Sequence, residues 1–92
     1  MTTETAKIKE LFSRVELADA AYDAADAAWE ADPENATLEK AWDNAYEVAW
    51  NAAEDFAEAI VEFTAGSIDK RTARLMLIKQ RDELREYISR WY

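Results

Sequence analysis

Apolar residues recur at spacings of three and four along two long stretches of this chain, and its one proline lies between them. The first series is Ile8, Leu11, Val15, Ala18, Tyr22, Ala25 and Trp29. The second is Leu38, Trp42, Ala45, Ala49, Ala52, Phe56, Ala59 and Phe63. Unbroken 3-4 spacing lines one face of an α-helix and is the pattern of coiled-coil seams. Pro33, in Asp32-Pro33-Glu34-Asn35, cannot continue a helix, and it pushes Asp32 out of the helical region. Asp32 or Asn35 can then cap the second helix. The one glycine, Gly66, follows Thr64-Ala65 and precedes Ser67-Ile68-Asp69, which reads as a glycine C-cap and then a Ser or Asp N-cap. The intervening segments are rich in Ala, Glu, Leu, Arg and Lys and poor in β-branched residues. The fold class expected is all-α, with helices over about 4–31, 36–64 and 68–91, each roughly 35–42 Å long at 1.5 Å per residue.

The two series mirror each other about Pro33. Folding the chain back brings Trp29 level with Leu38, Ala25 with Trp42, Ala18 with Ala49, and Leu11 with Phe56. Several levels pair a large side chain with a small one, as close packing favours. The expected result is an antiparallel, alanine-rich helical hairpin. The second stretch carries another apolar line, Tyr46, Trp50, Ala53, Ala57 and Ile60, one position round from the first. That makes its helix the central element. Ala73, Leu77, Leu84, Ile88 and Trp91 supply a face to cover it. One domain, residues 1–92, is expected, as a three-helix bundle or as a hairpin dimer with the third helix docked across a four-helix core.

Asp32-Pro33-Glu34-Asn35-Ala36, preceded by Ala21, Ala25 and Ala28, resembles the junction between tetratricopeptide repeats over about a third of the chain. The pattern then departs from that family. Asp43 stands where the repeat needs a small residue, the helical pattern runs through Val48–Asn51 where it needs a turn, and three stacked units are lacking. The resemblance is one of turn chemistry.

Composition closes off several functions. In 92 residues there is no Cys and no His, so no thiolate zinc site, no cysteine nucleophile and no imidazole base. A single Gly does not make a phosphate-cradling loop. Carboxylates are abundant, but a slim bundle offers no cleft in which two of them acquire different acidities. Asp32–Glu39 lacks the glycine and alternating ligands of a calcium loop. No catalytic, cofactor-binding or metal-binding residues are assigned, and no enzymatic activity is expected. The longest apolar run is Leu75–Ile78, so no membrane association is expected, and no secretory signal is seen. A soluble, cytoplasmic protein is the expectation, in a host cell's cytoplasm if a phage encodes it.

Charge is the informative feature. The net charge of −9 argues against direct nucleic-acid binding. By position it resolves into 4 bases and 16 acids over residues 1–66, and 7 bases and 4 acids over 67–92. Glu16, Asp19, Asp23, Asp26 and Glu30 form one acidic line at 3-4 spacing. Asp43, Glu47, Glu54, Glu58 and Glu62 form a second. Like charges at these spacings destabilise a helix by a few tenths of a kcal/mol each, so something compensates for the repulsion or uses it. Arg71, Arg74, Arg81 and Arg85, a line interrupted by Ile78, could run beside one ridge but could not neutralise both.

The function expected is therefore a small acidic protein–protein interaction module. It would act as an inhibitor or modulator whose ridges face a basic partner, one that binds nucleic acid if the ridges act as a DNA mimic, in the manner of phage or mobile-element counter-defence proteins. The alternative is a self-associating helical adaptor, a homodimer built on Tyr46, Trp50, Trp91 and Tyr92, since Trp and Tyr are enriched at binding hot spots. Trp29, Trp42 and Phe56 are assigned to the seam, and Phe12, off it, is a lesser candidate for such a contact.

Overall fold

A computed structural model describes residues 3–90, which form four helices: α1 (Thr3–Ala31), α2 (Ala36–Phe63), α3 (Lys70–Lys79) and α4 (Arg81–Ser89). Trp91 and Tyr92 lie outside the described residues. The long helices pair antiparallel across the Pro33 turn, as the mirrored seam requires. Asn35 caps α2, its side-chain oxygen accepting from the backbone N–H groups of Thr37 and Leu38. No break occurs at Val48–Asn51, so the resemblance to tetratricopeptide repeats ends at the turn.

The turn after α2 follows the C-cap reading. Gly66 has φ +85° and its N–H donates to the Val61 carbonyl at 2.9 Å. Ala65 is also left-handed, at φ +52°, a conformation that costs a non-glycine residue about 1 kcal/mol or more. Thr64 braces the corner: its hydroxyl donates to the Ile60 carbonyl at 2.8 Å and accepts from the Ile68 N–H at 3.2 Å. Of the two caps proposed for the next helix, Asp69 serves, accepting from the Thr72 N–H at 2.7 Å.

The third segment departs from a single helix. It breaks at Gln80, whose φ and ψ are −129° and 32°. The Arg81 side chain donates to the Leu77 carbonyl at 3.0 Å, satisfying one acceptor near the break. A straight helix from 68 to 91 would run roughly 36 Å, nearly the length of the hairpin. The break instead sets α3 on α2 and α4 on α1, so both lie on the same half of the hairpin.

That half holds the core. Ile8, Leu11, Phe12 and Val15 from α1 meet Phe56, Ala57, Ala59 and Ile60 from α2, with Ala73, Leu77, Leu84 and Ile88 above them. Large side chains are concentrated there, so doubling the third segment back buries more apolar area than stretching it over the alanine-rich remainder. Phe12 belongs to this core. It is only 5 % exposed, and its ring lies 5.7 Å from that of Phe56.

No residue between Asp19 and Asp55 is buried. The turn-bearing, distal half is two helices wide and projects from the four-helix proximal half. The molecule measures 46 × 23 × 22 Å with a radius of gyration of 15.0 Å, against about 12 Å for a compact domain of this length.

Candidate acidic interface

Each acidic ridge begins in the covered proximal half and runs out onto the bare distal half. On α1, Glu16 takes a two-pronged contact from Arg85, 2.6 Å from Nε and 2.9 Å from Nη2. Asp19 pairs with Arg81 at 2.5 Å. On α2, Glu54 pairs with Lys70 and, at 3.4 Å, with Arg74. Glu58 meets Lys70 at 3.5 Å. The cations of α3–α4 thus reach both ridges, whereas a straight helix could have reached one. The break at Gln80 is the cause, since it sends α3 along one ridge and α4 along the other. Lys70 takes the place expected for Arg71, which is exposed. The Lys70–Arg74 spacing of four was the available signal.

These contacts shift acidities in the expected directions. The Arg85 hydrogen bond lowers the Glu16 carboxyl below its ordinary 4.5. The Glu54 hydrogen bond raises Lys70, the Glu16 contact raises Arg85, and the Thr72 bonds lower the Asp69 cap.

Beyond Asp19 and Glu54 the pairing stops. Asp23, Glu30, Asp43 and Glu47 are exposed and make no ion pair among the described residues. Asp26 accepts from the Trp42 indole N–H at 3.0 Å and so helps hold the hairpin together. Glu62 is exposed at the opposite, proximal end. Residues 20–52 hold eight acids and one base, Lys40, a net −7. Spread over roughly 25 Å of hairpin, the length of residues 36–52 at 1.5 Å per residue, this is about one acid per 3 Å, rather over half the charge density of duplex DNA at one per 1.7 Å.

An aromatic ladder holds the distal helices together. Tyr22 lies against Trp42 and Tyr46, with ring centroids 5.7 and 5.9 Å apart. Trp42 stacks on Tyr46 at 5.8 Å and meets Trp29 at 6.2 Å. The Trp29 indole nitrogen is buried with no hydrogen-bond partner.

Tyr46 and Trp50 remain half exposed, at 50 % and 54 %. They border a groove of about 450 Å³ where α3 and α4 meet the hairpin, lined also by Tyr22, Leu77, Ile78 and Arg81. The Arg74 guanidinium sits 5.8 Å from the Trp50 ring centre, a cation–π contact.

Among the described residues, no three carboxylates converge as metal ligands would, and no helix is long and apolar enough to cross a membrane. No protein-family model matches the chain, and no curated protein or solved structure matches it either.

Proposed function

We propose that this chain is a protein–protein interaction module whose distal hairpin presents an acidic surface to a basic protein, inhibiting or modulating it. The observation that carries this reading is the incomplete internal pairing. Lys70, Arg74, Arg81 and Arg85 engage only the proximal ends of the two ridges, leaving eight acids against one base on residues 20–52. Such a concentration of like charge costs stability in the free protein, and a basic partner would relieve it. It would also steer such a partner into fast encounter at low salt. The charge density suits proteins whose surfaces are built for phosphate lines, so a nucleic-acid-binding protein is the partner class favoured.

Reversing Asp23, Asp43 and Glu47 to Lys tests the reading, because none of the three is buried or ion-paired among the described residues. Affinity capture from the native host at moderate salt should lose the partner while the fold, followed by circular dichroism, is retained. Capture at undiminished strength would show that the distal acids are not the binding surface.

A further inference from the structure

Where α3 and α4 meet the hairpin, a groove of about 450 Å³ opens at Tyr22, Tyr46 and Trp50, and beyond it no described segment covers the hairpin's distal half. On α1 the wall facing α4 is formed by Phe12, Glu16 and Asp19. Helical spacing carries that stripe on through Asp23, Asp26 and Glu30. On α2 the floor under α3 is formed by Ile60, Ala57 and Ala53. The same stripe continues through Trp50 and Tyr46. The second acidic ridge borders that floor throughout, as Glu58 and Glu54 beneath α3 and as Glu47 and Asp43 beyond it. The distal half therefore repeats the proximal design of an apolar floor between two lines of carboxylates. Its floor is aromatic and half exposed.

The proximal half shows what such a groove holds. Its occupant is a basic amphipathic helical segment. Ala73, Leu77, Leu84 and Ile88 face down, Lys70 and Arg74 reach the α2 ridge, and Arg81 and Arg85 reach the α1 ridge. We infer that the distal groove, from Tyr46 and Trp50 to the Pro33 turn, receives a basic amphipathic helix of a partner protein. Its apolar face would lie on the Tyr22, Tyr46 and Trp50 rings, and its Lys and Arg flanks would reach Asp23 and Glu30 on one side and Asp43 and Glu47 on the other. The open length is roughly 18 Å, which accommodates about three helical turns. A helix in a groove, anchored by apolar residues one turn apart, is a recurrent recognition mode. The inference deepens the acidic-surface reading and rests on it.

The chain supplies its own probe. A synthetic peptide of residues 69–90 has the required amphipathic basic character and contains no Trp. Tryptophan emission in a titration therefore reports on the intact protein alone. The comparison peptide has the same composition, shuffled so that its apolar residues share no helical face. The native-order peptide should bind at 1:1 and shift the emission. The shuffled peptide should bind at least tenfold more weakly, as should the native peptide to the Asp23→Lys/Asp43→Lys/Glu47→Lys variant.

Equal binding of the two peptides would overturn the helix-in-groove inference and leave the acidic-surface reading standing. Absence of binding by either peptide at low salt would overturn both. Binding that survives the distal reversals but is lost in Glu16→Gln/Glu54→Gln would mean that the peptide displaces α3–α4 from the proximal half, and the distal inference would fall. A dimer in light scattering, dissociated by Tyr46→Ala/Trp50→Ala, would make a second copy of the chain the occupant and overturn the partner helix.

Discussion

At the scale of single residues, two tryptophans in one aromatic ladder differ in a testable way. The Trp42 indole N–H donates to Asp26, whereas that of Trp29 is buried without a partner. A net hydrogen bond contributes about 1 kcal/mol, and an unmet buried donor costs a similar amount or more. Trp42→Phe should therefore destabilise the protein more than Trp29→Phe, by about 1 kcal/mol in urea unfolding. Ala65 offers a gain. Its left-handed conformation suits glycine, so Ala65→Gly should raise stability by up to about 1 kcal/mol. Gly66→Ala should lower it by about as much, although a methyl group there would meet nothing within 4 Å. Glu16 sets a pH dependence. Its carboxyl is lowered in the fold, so its contribution is complete above the unfolded carboxylate value and is lost as pH falls through the folded one. The stability difference between the wild type and Glu16→Gln should be present at neutral pH and shrink as pH drops below about 4.5. A difference that persists to pH 2 would exclude the Arg85 contact as its source.

At the scale of elements, the hairpin is legible in the residue spacing and the end of the chain is not. The 3-4 series, the Pro33 turn, the Asn35 cap and the Gly66 turn are local features, and local chemistry decides them. The break at Gln80 carries neither Gly nor Pro and has no side-chain cap. It forms because folding back lets Leu77, Leu84 and Ile88 reach the large side chains of the proximal half, a long-range gain invisible to local propensity. Phe12 escapes a reading by spacing for the same reason. It lies on the acidic stripe of α1, and only the arrival of α4 turns that position into core. Removing residues 67–92 should consequently do more than shorten the protein. It would uncover Phe12, Phe56, Ala57 and Ile60, and the remaining hairpin should lose cooperative unfolding and bind a hydrophobic dye. Retention of a sharp transition would contradict the role given to α3–α4.

At the scale of the whole molecule, the two halves should differ in stability. The proximal half has four helices around a common core, whereas the distal half has two helices, an aromatic ladder and a net charge of −7 on residues 20–52. Backbone amides in the distal half should exchange with solvent faster than those around Phe56 and Ile60. Their protection should rise with salt from about 0.01 M to about 0.15 M, as the Debye length falls from about 30 Å to about 8 Å and the ridges repel less. Protection uniform along the hairpin and indifferent to salt would show that the acids carry no electrostatic cost.

The ten ridge acids are all identifiable from spacing, because helical periodicity alone places them on common faces. Which of them are spent internally is not, because that depends on where α3 and α4 lie. Residue spacing and backbone chemistry within a few turns are enough to dictate the helices, the hairpin and the existence of two acidic lines. Tertiary structure decided that the basic segment folds back on itself, reaches both lines, and stops halfway. That outcome turns on the apolar area each half of the hairpin can offer to a third layer, a sum over side chains far apart in the chain.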